Sequence, residues 1–172
     1  MADLDEPIHV VAHDPAWADL GRDLVRQVLA VLGGMSVEVE HIGSTAVPGL
    51  DAKPVVDVQV GCVRADVAVV VECVQRLGFE HVGQAGVPGR EYLRRRSGGS
   101  ANVHVVERDG QLWGDNVLFR DHLRAHPDAA RRYARAKHRA AGQAGHLLAY
   151  SALKARTVTE IMKDARRSRT TT

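Results

Sequence analysis

Apolar residues follow two different spacings along the chain, and each spacing predicts its own kind of element. A helical spacing, with apolar positions every three or four residues, begins at Trp17 and stops at Gly33-Gly34. Asp14-Pro15 precedes it as N-cap and first helical position. The same spacing recurs before Gly78 and through the last third of the chain. The predicted helices are 15–32, 64–77, 113–125, 127–141 and 147–165.

Alternation of apolar and polar residues marks the strands, all of which lie in the first 110 residues. Val56, Val58 and Val60, for example, share one face of a strand because side chains alternate between its two faces. Two other segments flank Ser97–Ser100, whose glycine-rich turn predicts a hairpin. The predicted strands are 37–41, 55–60, 79–82, 91–96 and 102–107, with loops at 43–54 and 83–89.

The order of these elements predicts an α+β fold in one domain spanning residues 1–172. Strands and helices mix in an αβ core over 1–110, and helices alone fill 111–165. A helical part packed on a small sheet forms one continuous unit of this class. The basic tail, 166–172, is expected to fray.

Composition narrows the class of protein and its partners. With 172 residues, 45% of them hydrophobic and 26% charged, the chain is typical of a globular protein without a membrane span. Its net charge of +2 gives no general attraction for nucleic acid, which is therefore not an expected partner. Cys62 and Cys73 lack metal-ligand spacing and are expected to stay reduced. The acidic start, MADLDEPIHVV, has no signal-peptide core, so a cytoplasmic monomer or homodimer is expected.

Residues 40–60, EHIGSTAVPGLDAKPVVDVQV, hold the candidate chemistry. The turn Gly43-Ser44-Thr45 offers close approach to the backbone, hydroxyl groups and N–H donors, and Lys53 follows it. Such a turn with a lysine can bind phosphate. Asp57 faces away from the apolar side of its strand, and a carboxylate suits Mg²⁺ accompanied by substrate phosphates. Together they predict a pocket for a metal and a nucleotide. The alternative is an ordinary turn and a strand aspartate on an exposed face.

Residues 41–60, HIGSTAVPGLDAKPVVDVQV, resemble the signature of the GrpB family, a branch with the nucleotidyltransferase fold of the polymerase-beta-like superfamily. The resemblance covers roughly residues 8 to 165 and implies a mixed sheet flanked by helices, with a C-terminal helical subdomain. Its other segments are HVVAHDPAW, NVHVVERDGQLWGDNVLFRDHLRAHPDAARRYARAKHRAA and YSALKARTVTEIMKDA.

The resemblance implies that Gly43 and Ser44 form a phosphate-binding turn, and that Asp57 is the first of several acids holding two Mg²⁺ ions. This sequence departs from that pattern at Gln59, where a neutral amide stands in the position of the second acid. On the later strand, His104 matches a histidine of the family and could bind metal, act as a base or contact substrate. These departures weaken the expectation of polymerase-like phosphoryl transfer.

Several polar residues outside residues 40–60 have two possible roles, one in ligand binding and one in the structure. Arg94 and Arg96, on the hairpin, could pair with phosphate or form a solvated strand edge. Arg120 could contact substrate or form a structural ion pair with Asp121.

Tyr133 and Lys137 are four residues apart on a predicted helix and share a face, a spacing that Tyr150 and Lys154 repeat. They could stack on a base and bind phosphate, or form an exposed amphipathic face. The candidate set is Asp57 and His104 for catalysis, Asp57, His104 and Glu40 for metal, and Gly43, Ser44, Thr45, Lys53, Gln59, Arg94, Arg96, Arg120, Tyr133 and Lys137 for nucleotide and substrate.

Three functions follow from these residues and from the resemblance. The main prediction is an enzyme that transfers a nucleotidyl group, AMP from ATP, to a small acceptor with Mg²⁺; a carboxylate acceptor would be activated for amide formation. The second is a binding module for a nucleotide or another anionic metabolite, without chemistry. The third is an accessory protein of coenzyme A metabolism, since the family includes fusions to dephospho-coenzyme A kinase.

Overall fold

The structure, a computed structural model, describes residues 6–170. Two short 3₁₀ turns, Ser44–Ala46 and Arg64–Asp66, lie among the regular elements. The strands are β1 (Glu38–Ile42), β2 (Val56–Cys62), β3 (Glu80–Gly83), β4 (Arg90–Arg95) and β5 (Ala101–Glu107). The helices are α1 (Ala16–Leu32), α2 (Val67–Gln75), α3 (Gln111–Ala125), α4 (Pro127–Ala144) and α5 (Leu147–Thr170).

The five strands form one mixed sheet in the order β1-β2-β5-β4-β3. Among the strands of residues 6–170, the central β2–β5 pair is parallel and the other neighbouring pairs are antiparallel. The predicted α+β class is therefore confirmed. The register of the parallel pair sets Asp57 beside Asn102 and Gln59 beside His104.

The sheet has one apolar face and one polar face. Alternate residues of β2 and β5, among them Val58, Val60 and Val103, are buried against α1 and α2 in the main hydrophobic core. The intervening residues point the other way. That leaves Asp57 and His104 on the face that carries the helical half of the chain.

The helical half packs on itself through a second core that joins the loop before β2 to α3, α4 and α5. Leu50, Leu123, Tyr133 and Ile161 meet in it. Within residues 6–170, no helix combines the length and the apolar character that crossing a membrane requires. Cys62, which is buried, and Cys73, which is partly buried, are both free thiols.

The predicted frayed tail is wrong for residues 166–170, since α5 continues through them to Thr170; residues 171–172 lie outside the described range. Ile161 and Ala165 are buried, which anchors the last turns, and Arg166 pairs with Asp115 of α3 at 2.9 Å. Helix α1 begins at Ala16 with Pro15 at its N-cap position, one residue later than predicted. Asp14 still contributes to this helix start, because its Oδ1 accepts the backbone N–H of Ala16 at 2.9 Å.

Candidate active site

The turn after β1 lies directly against the carboxylate of Asp57. In the β1–β2 register Ile42 is the partner of Asp57, so the chain turns at Gly43 immediately beside it. Gly43 has φ 72° and ψ −168°, a combination open almost only to glycine. A Cβ atom at this position would lie 3.1 Å from Asp57 Oδ2 and 3.2 Å from Asp57 Cβ. Glycine is therefore needed for both conformation and space.

The parallel strand β5 supplies the other neighbours of Asp57. Asn102 Nδ2 donates to Asp57 Oδ1 at 2.8 Å, and His104 Nε2 lies 3.0 Å from the same oxygen. Burial alone would raise the pKa of Asp57, but the hydrogen bond and charge of His104, the hydrogen bond from Asn102 and the charge of Lys53 hold it at about 2. Asp57 is therefore ionised. Within residues 6–170, no donor contacts its second oxygen, Oδ2.

The side-chain amide of Asn102 is held in one orientation by two donors that contact its oxygen, on the side away from Asp57. Its Oδ1 accepts from the Tyr92 hydroxyl at 2.8 Å and from Arg96 Nη1 at 3.0 Å. Arg96 is itself held by Glu6, whose two carboxylate oxygens accept from it at 2.8 and 2.9 Å. A flipped amide would place its NH₂ group against these donors. The network therefore fixes which group Asn102 presents to Asp57.

A cavity of about 360 Å³ opens beside Asp57, between the sheet and the start of α5. Lys53, Arg90 and Lys154 line it, so positive charge exceeds the single negative charge of Asp57. Lys53 also donates to Glu6 at 2.9 Å, which leaves two of its three ammonium hydrogens for a ligand. The remaining lining residues are Ser44, Ala52, Val55, Ala85, Val87, Tyr92, Asn102, His104, Leu147, Leu148, Tyr150 and Ser151.

Arg90 also lines the cavity, although it was not among the site residues predicted from the sequence. Its Nη2 donates to the carbonyls of Gln84 and Ala85 at 3.2 and 3.1 Å, and its guanidinium lies 5.1 Å from the centre of the Tyr92 ring. Its buried Nε has no partner within the described chain. The available signal was its position two residues before Tyr92, on the same strand face.

Known proteins and a family model are similar to this chain over nearly its whole length. A family model described as GrpB protein matches residues 7–164. The chain belongs to the GrpB family. The crystal structure of GrpB from Enterococcus faecalis is 30% identical, with a TM-score of 0.82, and the match covers 93% of this chain and 98% of that one. These findings confirm the predicted family and its fold.

Two bacterial relatives are similar over most of this GrpB chain. The UPF0157 protein YqkA of Bacillus subtilis is 31% identical over 141 residues, which are 79% of this chain and 40% of YqkA. The UPF0157 protein SCO7215 of Streptomyces coelicolor is 41% identical over 119 residues, which are 67% of this chain and 61% of that protein. The chain thus spans about half the length of these curated relatives.

The fold of this chain brings only some of the predicted site residues to the cavity beside Asp57. Ser44, Lys53, Asp57 and His104 line it, and Gly43 packs against Asp57. The other predicted residues are not among its lining: Glu40, Thr45, Gln59, Arg94, Arg96, Arg120, Tyr133 and Lys137.

Two predicted residues of the sheet are engaged elsewhere, by α3. Both polar atoms of Gln59 have partners there, since Oε1 accepts from Asn116 at 2.9 Å and Nε2 donates to the Trp113 carbonyl at 3.4 Å. Glu40 accepts from Arg120 at 2.5 Å instead of facing Asp57. These contacts connect α3 to β1 and β2 and leave the cavity without the amide and the second carboxylate that were predicted.

Thr45 and Arg94 make contacts that explain their absence from the cavity. The buried hydroxyl of Thr45 lies 3.0 Å from Nε2 of His41, whose pKa burial lowers to about 4. Arg94 pairs with Glu80 of β3 at 3.0 Å.

Tyr133 and Lys137 share a helix face, as their spacing predicts, but that face is turned into the protein. Lys137 Nζ donates to the Asp51 carbonyl and lies 4.8 Å from the centre of the Tyr133 ring. The matching pair on α5, Tyr150 and Lys154, lines the cavity.

The side-chain atoms available to bind a metal suit one divalent cation that is shared with a ligand, but they do not suit two cations. Asp57 Oδ2 is a carboxylate oxygen without a hydrogen-bond donor, and Mg²⁺ commonly takes one or two carboxylates plus phosphate oxygens and water. Across residues 6–170, no three His, Cys, Asp or Glu side chains are grouped to hold a metal ion. A second ion would lack protein ligands.

Proposed function

We propose that the cavity binds the phosphate groups of a nucleotide and that the protein transfers the nucleotidyl group to a small acceptor. One observation carries this proposal. An ionised carboxylate keeps one oxygen free of donors at a glycine turn, and three cationic side chains line the same cavity. A half-buried negative charge amid cations is a binding arrangement for a ligand that brings both phosphate and a cation.

Each wall of the cavity would contribute to phosphate binding. Lys53, Arg90 and Lys154 would pair with phosphate oxygens, and the N–H groups at the start of the 3₁₀ turn after Gly43 would add donors. Asp57 Oδ2 would hold the Mg²⁺ that accompanies the phosphates, and this ion would neutralise their charge. These roles use only groups that line or adjoin the cavity.

The reaction is a displacement at the α-phosphorus of a nucleoside triphosphate. An acceptor oxygen or nitrogen forms the new bond, the bond from phosphorus to the bridging oxygen of the β-phosphate breaks, and pyrophosphate leaves. A hydroxyl or amine acceptor gives up a proton, and in this proposal Nδ1 of His104 receives it. Support comes from His104 lining the cavity and from its Nε2 bonding Asp57, which orients the ring. The cationic wall would stabilise the charge on the departing pyrophosphate.

Calorimetry and pyrophosphate release test the two parts of the proposal separately. ATP would be titrated with and without Mg²⁺ into the wild type, Asp57→Asn and the control Asp109→Asn, which changes an exposed aspartate. We expect Mg²⁺-dependent binding to be lost only in Asp57→Asn. Pyrophosphate release would then be followed with a mixture of small acids, amines and alcohols. Unchanged ATP binding by Asp57→Asn would reject the role of this carboxylate.

A binding module without chemistry is the second candidate, and the sparse set of acidic ligands favours it. Gln59 stands where the resemblance implies a second acid, and its polar atoms are taken up by α3. Tight ATP binding with no pyrophosphate release from any acceptor would support this candidate against the transferase.

A further inference from the structure

The two oxygens of Asp57 have different surroundings. A carboxylate oxygen offers about two lone-pair positions, and at Oδ1 both are taken, by Asn102 Nδ2 and His104 Nε2. Oδ2 lies on the side of Gly43, with no donor from the described residues. A cation can therefore approach Asp57 through Oδ2 only.

Asn102, besides Gln59, occupies a position from which a second carboxylate could share a cation with Asp57. It is the direct neighbour of Asp57 in the parallel β2–β5 register, and its side chain is buried. Tyr92 and Arg96 donate to its Oδ1, so the amide turns its NH₂ group toward Asp57. That group carries partial positive charge, which repels a cation from the space between the two strands.

We propose that Asn102 is a positioning residue that restricts this site to a single divalent cation, bound through Asp57 Oδ2 together with the phosphates of the ligand. The identity of the ligand in this inference rests on the proposed nucleotide binding. The limit to one cation rests instead on the contact between Asn102 and Asp57. It departs from the two-ion arrangement that the fold family implies. The reaction would depend on Lys53, Arg90 and Lys154 for the charge that a second ion would otherwise neutralise.

The test is a count of bound ions. Mn²⁺ would be titrated into the full chain, with and without a non-hydrolysable ATP analogue, and the free ion measured by its electron paramagnetic resonance signal. For the wild type we expect weak binding without nucleotide and one Mn²⁺ per chain with it. Two Mn²⁺ ions per chain in the presence of the analogue would overturn the inference.

Asn102→Asp tests the assigned residue. It places a second carboxylate against Asp57 Oδ1, where the amide nitrogen now lies 2.8 Å away, and two carboxylates at that distance favour a shared cation. We expect Mn²⁺ binding without nucleotide to tighten by about tenfold or more. Asn116→Asp, the matched control, makes the same chemical change at an amide that donates to Gln59. Equal Mn²⁺ affinity in wild type, Asn102→Asp and Asn116→Asp would contradict the role of Asn102.

Two further results keep the inference separate from the proposed function. If the wild type does not bind the ATP analogue, the proposed function fails, and the nucleotide-free comparison still decides the role of Asn102. If Asn102→Asp does not fold, Asn102→Ala replaces it. Removing the donor frees a lone pair on Oδ1, so nucleotide-free Mn²⁺ affinity should rise by about threefold, the size expected from the loss of one competing hydrogen bond. An affinity unchanged or lower in Asn102→Ala would overturn the inference.

Discussion

Gly43 packs against Asp57 with the side of its Cα atom that would carry a side chain in any other residue. A Cβ atom there would lie 3.1 Å from Asp57 Oδ2. Gly43→Ala should therefore do two things. The positive φ costs about 2 kcal/mol of folding free energy, and the methyl group displaces the oxygen proposed to bind the ligand. We expect a lower melting temperature and a loss of ATP affinity of about tenfold or more, measured by calorimetry.

Gly49→Ala separates these two effects. Gly49 has a similar φ of 75°, but a Cβ atom there would meet nothing within 4 Å. We expect a comparable loss of stability with ATP affinity unchanged. If both variants lost ATP affinity equally, the contact between Gly43 and Asp57 would not be what matters for binding.

Arg90 and Arg94 lie on the same face of β4, yet only Arg90 lines the cavity. Arg90→Met removes a charged donor from the phosphate site, which should weaken ATP binding by about tenfold, or ~1.5 kcal/mol. Arg94→Met removes a residue paired with Glu80 and should change the affinity by less than about twofold. Parallel calorimetric titrations of the two variants measure the difference, and a larger effect at Arg94 would reject the phosphate role of Arg90.

The sequence predicted the fold well because its signals are local. Helical spacing, alternation and glycine stops each depend on neighbouring residues, and the resulting elements are in place within a few residues of their predicted bounds. The tail after residue 165 was missed, since its helix depends on burial of Ile161 and Ala165 by distant parts of the chain.

The candidate site was predictable only where its residues are close in the chain. The turn at Gly43 and the strand carrying Asp57 form such a segment. Asn102, by contrast, reaches Asp57 across 45 positions, through a parallel register that no local pattern specifies. Likewise, the spacing of Tyr133 and Lys137 predicted a shared face but not that the face is buried. Pairing and burial are tertiary properties, so these contacts required the structure.

Arg120 is expected to stabilise the fold rather than bind substrate. Its side chain is only 8% exposed. It donates to Glu40, which connects α3 to β1, and to Asp121, the next residue of α3. Arg120→Met leaves acceptors without their donor and should lower the free energy of unfolding by about 2 kcal/mol. Arg156→Met, in an ion pair whose arginine is 90% exposed, should cost less than about 0.5 kcal/mol in the same urea titration. A full-stability Arg120→Met that binds ATP weakly would instead indicate a substrate contact.

Lys137 should make stability depend on pH in the alkaline range. Burial, with repulsion from Lys154, lowers its pKa from 10.5 to about 7, and the weaker attraction of Asp51 does not compensate. Between these values the unfolded chain holds a proton that the native protein has lost, so raising the pH favours the native state. The free energy of unfolding should thus rise with pH by up to about 1.4 kcal/mol per unit relative to Lys137→Met.

Urea unfolding of both proteins from pH 7 to pH 9.5 measures this difference, because the other titrating groups are common to them. Lys163→Met, at an exposed position, is the matched control and should give a curve parallel to that of the wild type. Parallel curves for the wild type and Lys137→Met would mean that Lys137 keeps its proton in the native protein. Its ammonium would then be stabilised by the Tyr133 ring and the Asp51 carbonyl strongly enough to overcome burial.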